Sequence, residues 1–517
     1  MKRIFSLLLM LCMSFGLIAC GTGSAHAADE PASTTRTHLT LGMASEVVSL
    51  DPSMSPDCVT PTGYFYTGQI FEQLLRYNQL TGEFEPVLAT EWKIADDAMS
   101  VDFTLRQGVK FHNGDTMTAD DVLFSLTRAL ESPYTNAYTE SINHFEKIDD
   151  NTIRVVLNYP YVPILSVLEI PCWGIVSKRA IEELGDDHAR HPVGTGAYKM
   201  VNWVSGQKFE YEAFEDYHGD APAIKTATVV LIPDGSAGVL ALEHGSIDYL
   251  NGIPKSDIAY LMSLDTLTVN EIIGGNVNDI TFNCTDGIFT DKRLRQAVAY
   301  AIDLDEILLG GCEGYGTVAN VLSTPMTTGW VSDIEPFHQD IEKAKQLMAE
   351  AGYPDGFDVV FNQDSSVTYM TTAEVIQAQL KKVGINVIFN KMERSAWFDI
   401  VGDKRDFVAT TRMTTMSLLD ADYILTRRLT EGALGSGNNY SGFHTPELDA
   451  LIVAARSETD PEKRTDMYRQ CFLIIQDECP IIPLYNYADF SVHSAKLRGV
   501  QNVTAHRNLW QYMYFVD

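Results

Sequence analysis

The chain lacks the motifs of several common enzyme classes, and it is short of positive charge. Neither the G-x-S-x-G motif of serine hydrolases nor the H-E-x-x-H motif of zinc proteases occurs in its 517 residues. It has 38 Lys and Arg residues against 69 Asp and Glu residues, which gives a formal net charge of −31. A chain this acidic is poorly suited to nucleic acid or to anionic membrane surfaces. We therefore expect a protein that is not an enzyme and that does not bind nucleic acid.

Cysteine and histidine are present, but their spacing does not predict a metal site. The six cysteines that follow Cys20 include no C-x-x-C pair, which argues against zinc ribbons and thioredoxin-like redox motifs. His188 and His191 have H-x-x-H spacing, but Pro192 follows them and no third ligand is placed, so a structural role is favoured. We expect no metal and no cofactor. The cysteines leave open either a single disulfide or buried free thiols.

The N-terminal segment has the features of an export signal. Lys2 and Arg3 precede an apolar run over residues 4–19, and no later apolar run is long enough to span a bilayer. The run ends in Leu-Ile-Ala followed by Cys20, which is typical of a lipoprotein signal and predicts lipid attachment at Cys20. An alternative cleavage site lies after Ala27. We assign residues 1–19 to the signal peptide and residues 20–37 to a tether, and we expect an extracytoplasmic, membrane-anchored lipoprotein.

The most specific pattern lies between residues 101 and 126. Val101, Phe103 and Leu105 alternate with polar residues and predict a half-buried strand, and a second short strand is predicted over residues 109–111. An Asn-Gly-Asp turn follows at residues 113–115. Thr118 then precedes Asp121 by three residues and is expected to cap a helix.

Further strands and helices alternate along the rest of the chain. Predicted helices begin near residues 65, 235, 291, 341, 371, 445 and 460, and predicted strands include residues 39–43, 152–157, 227–232, 357–361 and 385–389. The first of these helices is expected to run from Phe65 to Leu75. Gly194-Thr-Gly196 is not a dinucleotide motif, because no helix follows it and the third glycine is missing. The alternation of predicted strands and helices along the chain predicts an α/β protein.

The block at residues 89–126, the segment His191–Tyr198 and the helix from Asp291 resemble the family 5 solute-binding proteins, the oligopeptide, dipeptide and nickel receptors of ABC importers. The resemblance covers nearly all of the chain after the signal peptide. It implies a periplasmic-binding-protein-like fold (type II, cluster C) with two α/β lobes joined by a hinge and one inserted lobe. We assign residues 38–75, 190–280 and 481–517 to lobe I, residues 76–189 to the inserted lobe II, and residues 281–480 to lobe III.

The resemblance also implies that the ligand lies between lobes I and III. One wall is expected at Tyr64 and Tyr66, since tyrosine offers a flat apolar body with an orienting hydroxyl. The other wall is expected after residue 407, where peptide receptors of the family usually have a Trp and an Asp that pairs with the ligand's amine. Here the Trp is absent, and Asp420 or Asp422 takes the acidic role only if the loop is shifted. Tyr440 resembles a family residue that touches the ligand or seals the lobe.

Arg394 and Arg412 lie near positions where the family often has aromatic residues. Arginine in a closed cleft binds carboxylate or phosphate through two hydrogen bonds. We therefore expect a ligand with at least one anionic group.

The function that this resemblance implies is capture of a peptide or peptide-like solute and its delivery to an ABC permease and its ATPase by a monomeric receptor. Three alternatives stay open: a receptor for a non-peptide anionic solute, a receptor for a nickel complex, and a lipoprotein that senses a peptide without importing it.

Overall fold

The computed structural model describes residues 36–436, 438–501, 503 and 509–517. The strands are β1 His38–Met43, β2 Leu75–Asn78, β3 Glu83–Pro86, β4 Ala89–Ile94, β5 Ser100–Leu105, β6 Ile142–Lys147, β7 Thr152–Leu157, β8 Tyr198–Val204, β9 Lys208–Ala213, β10 Thr226–Leu231, β11 Tyr249–Asn251, β12 Leu267–Phe282, β13 Gly316–Val318, β14 Phe357–Asp364, β15 Ile385–Met392, β16 Ala409–Thr415, β17 Ile481–Ser494, β18 Leu497–Arg498 and β19 Tyr514–Phe515. The helices are α1 Pro61–Thr67, α2 Ala119–Leu130, α3 Ile164–Leu168, α4 Lys178–Leu184, α5 Gly235–Glu243, α6 Lys255–Met262, α7 Lys292–Ala301, α8 Leu304–Cys312, α9 Ile341–Glu350, α10 Val367–Lys381, α11 Arg394–Trp397, α12 Ala421–Leu429, α13 Pro446–Ser457 and α14 Pro461–Glu478.

The predicted signal peptide (residues 1–19), Cys20 and residues 20–35 of the tether lie outside the described residues. Within the described part of the chain, the helices are all too short or too polar to cross a membrane.

One mixed sheet runs through the residues assigned from the sequence to lobes I and III, and these lobe names are kept below for the ranges assigned there. Its strand order is β15-β14-β16-β12-β17-β11-β1-β10-β9-β8, and β13 also pairs with β17. Parallel pairs occur in both halves, between β14 and β15 and between β1 and β10, while β12 and β17 run antiparallel in the middle. Parallel strands need crossover connections, and helices supply most of them here. The prediction of an α/β protein is confirmed.

Two long strands, β12 and β17, join the two halves of this sheet. Their pairing is interrupted by a register shift between Ile273 and Val277, after which β12 pairs with β16 on its other edge. Gly274 lies at the shift, where an added Cβ would sit 2.8 Å from the Oδ2 atom of Asp489. A larger residue would therefore require the Asp489 side chain to move aside. The predicted lobe boundaries after residue 280 and before residue 481 lie inside β12 and at the start of β17.

Lobe II contains a separate four-stranded antiparallel sheet in the order β4-β5-β7-β6, against which α2 packs. In β5 the buried residues alternate with half-buried ones, as predicted. Thr118 and Asp121 form a reciprocal capping box at the start of α2, which confirms the predicted cap. The predicted strand at residues 109–111 is wrong, because only an isolated bridge between Lys110 and Thr116 forms there.

The helix predicted from Phe65 to Leu75 is also wrong. The structure has α1 at Pro61–Thr67, and Leu75 begins strand β2. The Thr60 hydroxyl accepts a hydrogen bond from the Gly63 N–H, and Pro61 occupies the first turn, so the helix starts earlier than the aromatic residues suggest. The other predicted helices and strands listed above are present, with ends that differ by a few residues.

Lobes II and III are in direct contact. The Val162 N–H of lobe II donates to the Arg456 carbonyl of lobe III over 2.9 Å, and Leu418 of lobe III packs into the lobe II core.

The described cysteines are all free thiols, and five of the six are buried. Of the two alternatives left open by the sequence, a single disulfide or buried free thiols, the structure has free thiols.

Candidate functional site

The carboxyl ends of three lobe III strands meet at one edge of the sheet. Strands β14, β15 and β16 run parallel, and β14 ends at Asp364. Ligands of open α/β sheets bind at such an edge. A pocket of about 20 Å³ lies here, lined by Asp364, Tyr369, Arg394, Trp397, Phe398, Thr411, Arg412 and Met413.

Arg394 begins helix α11 directly after β15 and reaches over this edge. Its Nη1 atom donates to Asp364 Oδ2 over 3.2 Å and to the Tyr369 hydroxyl over 3.1 Å. Its guanidinium carbon lies 5.2 Å from the centre of the Phe398 ring. Because 59% of the Arg394 side chain stays exposed, the guanidinium keeps free donor positions toward solvent even though Asp364 balances its charge.

Arg412 lies deeper, in β16, and is only 8% exposed. Its Nε and Nη1 atoms are shielded from solvent and have no hydrogen-bond partner among the described residues. Within the described residues, the side chain makes a single long hydrogen bond, which Nη2 donates to the Met413 carbonyl over 3.5 Å. The guanidinium carbon lies 4.4 Å from the Tyr440 ring centre and 5.8 Å from the Trp397 ring centre. Unmade hydrogen bonds of a buried charged group are costly, so this arginine is poised for an additional acceptor.

The charges around Arg412 do not balance. Asp279 lies opposite it on β12, yet the carboxylate oxygens of Asp279 accept from the Thr281 and Thr414 hydroxyls, each over 2.7 Å. Burial raises the pKa of Asp279, and the positive charge of Arg412 only partly offsets this. Arg428 also contacts Tyr440, with 4.5 Å from its guanidinium carbon to the ring centre. Burial and the neighbouring Arg412 lower the pKa of Arg428 to about 9.

The structure therefore brings Arg394, Arg412 and Tyr440 together in lobe III. Tyr440 is buried and holds the guanidinium of Arg412 by ring stacking. Trp397 completes the wall through an edge contact with Tyr440, with ring centres 5.9 Å apart.

Tyr64 and Tyr66 lie elsewhere, in apolar cores. The Tyr66 hydroxyl donates to the Ser45 carbonyl over 3.0 Å, and its ring packs against Phe209 at 4.4 Å in the core of lobe I. Tyr64 belongs to the core of lobe II, where its hydroxyl is hydrogen-bonded to that of Tyr138. Neither residue lines the pocket of Arg394 and Arg412.

Asp420 and Asp422 form interior ion pairs at the start of α12. Asp420 caps this helix and accepts from Arg464 over 2.7 Å, and Asp422 accepts from Arg456 over 3.1 Å. Both carboxylates are almost fully buried, and burial raises the pKa of Asp422. Both carboxylates are already paired with arginines, and neither lines the pocket of Arg394 and Arg412.

A second cavity, of about 80 Å³, lies between lobes II and III. Tyr159 and Tyr161 of lobe II and Asp422 and Arg456 of lobe III line it. The Arg456 guanidinium carbon lies 5.3 Å from the ring centre of Tyr159 and 5.9 Å from that of Tyr161.

Sequence reasoning missed Asp364, Tyr369 and Trp397, which line the lobe III pocket, and also Asp279 and Arg428, which are charged neighbours of Arg412. The predicted strand 357–361 ended three residues before Asp364, so the end of β14 was not recognised as the ligand edge. Trp397 carried a signal, because it lies three residues after Arg394 and shares a helix face with it.

Comparisons with known proteins agree with this geometry. Residues 83–436 match the family model described as "Bacterial extracellular solute-binding proteins, family 5 Middle". The chain is 30% identical to Heme-binding protein A of Haemophilus influenzae over 83% of this chain and 84% of the relative. It is 28% identical to the Dipeptide-binding protein of Escherichia coli over 83% of this chain and 86% of the relative.

Solved structures give the same assignment. The structure of HbpA2 from Haemophilus parasuis superposes with a TM-score of 0.85 at 25% identity, covering 92% of this chain and 99% of that one. The periplasmic binding protein DppA from Helicobacter pylori, in complex with the peptide STSA, superposes with a TM-score of 0.74 at 27% identity, covering 93% and 98%. The fold is that of type II periplasmic binding proteins. The chain belongs to the bacterial extracellular solute-binding proteins of family 5.

Proposed function

We propose that this protein is the lipid-anchored receptor of an ABC importer, which encloses a peptide or peptide-like solute between lobes I and III and delivers it to the permease. Lipid attachment at Cys20 would hold it at the outer face of the membrane. An anionic group of the solute would bind at the lobe III pocket, between Arg412 and the exposed face of Arg394.

The observation that carries this proposal is the pair of unpartnered nitrogen atoms on Arg412, at the carboxyl edge of a parallel sheet. A pocket of about 20 Å³ has room for one water-sized group. It fits a single carboxylate oxygen better than a whole side chain. A terminal carboxylate entering from the cleft would give Arg412 the acceptor that the described residues do not supply.

Within this proposal the predicted site residues have different roles. Arg394 and Arg412 bind the solute, and Tyr440 keeps Arg412 in place. Tyr64, Tyr66, Asp420 and Asp422 support the walls, because their polar groups already have interior partners. The amine of a peptide would then be bound by groups other than Asp420 and Asp422.

The first test is native mass spectrometry of untagged protein (residues 28–517) purified from rich medium, with the denatured mass as control. We expect a bound mass that is lost on denaturation and that fragments as a peptide. A bound organic anion, a nickel complex or haem would instead support one of the other ligand classes. Ligands can also be offered as dipeptides, glutathione and haem, which relatives are named for binding.

The second test compares the identified solute with its carboxamide in calorimetric titrations. A charge-assisted hydrogen-bond pair to a buried arginine contributes about 2–3 kcal/mol, so the wild type should bind the acid about 30- to 150-fold more tightly than the amide. The Arg412→Met protein should bind both equally weakly. Arg469→Met is the matched control. Arg469 is a lobe III arginine on helix α14 that pairs with Asp333 and does not line the pocket of Arg412. A wild type that does not distinguish acid from amide would refute the anionic subsite.

A sensing lipoprotein and an import receptor would give the same binding results. Uptake of the labelled solute by cells that have or lack the protein separates the two functions. Cells that lack an import receptor lose uptake, whereas cells that lack a sensor do not.

A further inference from the structure

A group of three metal-ligating side chains lies where the segment between α12 and α13 meets the first turn of α13, separate from the lobe III pocket. Glu431, His444 and Asp449 each offer one ligand atom, and these atoms all lie within 4.8 Å of one another. We propose that they form a binding site for one divalent transition-metal ion, with Zn²⁺ as the preferred metal. This inference is independent of the proposed function.

The first argument is the state of the ligand atoms. His444 Nδ1 lies 3.6 Å from Asp449 Oδ2. His444 Nδ1 and Asp449 Oδ1 are both shielded from solvent and lack a hydrogen-bond partner within the described part of the chain. Buried polar atoms of this kind normally have partners, and one cation would satisfy both.

The second argument is distance. Zinc bonds to imidazole nitrogen and carboxylate oxygen are about 2.0–2.2 Å, which places neighbouring ligand atoms of a tetrahedral site about 3.3–3.5 Å apart. The separation of 3.6 Å between His444 and Asp449 is close to that value. The other separations, of at most 4.8 Å, would have to shorten by side-chain rotation when the ion binds.

The third argument is that the backbone already holds the three residues together. Thr445 caps α13, and the Asp449 N–H donates to the Thr445 carbonyl over 2.9 Å, which fixes Asp449 in the first turn. The Glu431 N–H donates to Asp449 Oδ2 over 3.4 Å. The Asn439 amide donates to the carbonyls of Thr430 and Phe443, so the residues that precede Glu431 and His444 are tied to one another.

The donor set indicates which metals fit. One imidazole and two carboxylates suit Zn²⁺ and its transition-metal neighbours, whereas Ca²⁺ and Mg²⁺ prefer oxygen ligands alone. Glu431 is exposed, so water would fill the remaining coordination positions. The ion would connect the end of α12 to the start of α13 and stabilise the segment that carries Tyr440.

The test is calorimetric titration of Zn²⁺ into untagged protein (residues 28–517) that has been stripped with a chelator. We expect one ion per chain with a dissociation constant below about 10 μM. His444→Gln and Asp449→Asn should each weaken binding at least about tenfold, since loss of an outer-shell partner alone costs 10- to 100-fold. Glu431→Gln should also weaken it, and this exposed substitution is the variant that keeps the test valid if the other two unfold.

The matched control is His338→Gln. His338 is 79% exposed on its side chain and lies 3.9 Å from Glu335, so it has one carboxylate neighbour but no third ligand in the described residues. This variant should bind Zn²⁺ like the wild type, and X-ray absorption of the loaded wild type should give a nitrogen and oxygen shell that includes one imidazole.

Two outcomes would overturn the proposal. One is a wild type that shows no saturable binding. The other is binding that is equally strong in the Glu431, His444 and Asp449 variants, which would assign the signal to scattered surface acids.

Discussion

The contact of Arg456 with Tyr159 predicts that lobe II controls solute affinity without touching the solute pocket of lobe III. Asp422 and Thr426 fix the Arg456 guanidinium from the lobe III side over 3.1 Å and 2.6 Å. Tyr159 stacks on it from lobe II at 5.3 Å. If the closed form makes this contact more strongly than the open form when hinge movement encloses the solute, the loss of the contact favours the open form.

The magnitude follows from the partial burial of the pair. Cation–π contacts contribute about 0.5 kcal/mol when exposed and about 2 kcal/mol when desolvated. Arg456 is mostly but not fully buried, so we take about 1 kcal/mol. Replacing Tyr159 with Leu should therefore raise the dissociation constant about fivefold. The edge contact between Tyr159 and Tyr161, with ring centres 5.8 Å apart, lies within lobe II. The Tyr159→Leu protein loses this contact in both the open and the closed form, so its loss does not change the equilibrium between them.

The assay is calorimetric titration of the solute identified by native mass spectrometry, together with small-angle scattering of the ligand-free protein. The Tyr159→Leu protein should bind about fivefold more weakly, keep its preference for acid over amide, and have a larger radius of gyration. Tyr134→Leu is the matched control, because Tyr134 is an exposed lobe II tyrosine outside the cavity between lobes II and III. Unchanged affinity for Tyr159→Leu, or equal weakening by Tyr134→Leu, would refute the reasoning.

Two further predictions concern stability. Asp51 accepts from both terminal nitrogens of Arg128, over 2.9 Å and 2.6 Å. Burial raises the pKa of Asp51, but the nearby His188 ring, whose Nδ1 atom lies 3.7 Å from Asp51 Oδ2, and the hydrogen bonds from Arg128 outweigh burial and hold this pKa well below the usual range. Asp51→Asn should lower the free energy of unfolding in urea by about 3 kcal/mol at pH 7, because it leaves Arg128 without its counter-charge. The wild type should lose this advantage as the pH falls below about 4, and a pH-independent difference would contradict the assignment. Thr118→Ala removes the cap of α2 and should cost about 1 kcal/mol in the same assay, with no change in solute affinity.

Local patterns were enough to predict most elements of the fold. Thr152–Leu157 alternates buried and half-buried residues, and the structure has a strand over those residues. Thr445-Pro446 and Asp460-Pro461 begin α13 and α14, because a capping side chain and a proline in the first turn act within a few residues. Strand β12 was not predicted, since Gly274 and Gly275 interrupt its pattern at the register shift and its partners lie about 140 and 210 residues away along the chain.

The site was harder to predict, because residues far away in the sequence determine whether a polar side chain faces the pocket or pairs with an interior group. Asp420 and Asp422 are ion-paired with arginines 44 and 34 residues further along the chain, which no local pattern reveals. Tyr66 points into the lobe I core because Phe209 and the Ser45 carbonyl are there. Arg394 and Arg412 were each predicted as a residue that could hold an anionic group of the ligand, from residue type and family position, and the structure places both in the lining of one pocket.

The charges of lobe III narrow the kind of solute that the pocket would accept. Arg394 is balanced by Asp364 at 3.2 Å, so this pair contributes no net charge. Arg412 and Arg428 share the single carboxylate of Asp279, and the lowered pKa of Arg428, about 9, still lies above neutral pH. With Asp279 ionised, these five groups carry one excess positive charge at neutral pH. A solute with one carboxylate at this position would balance it, whereas a second anionic group nearby would have to compete with Asp364 for Arg394. The pocket thus fits the single terminal carboxylate of a peptide-like solute better than a dianion.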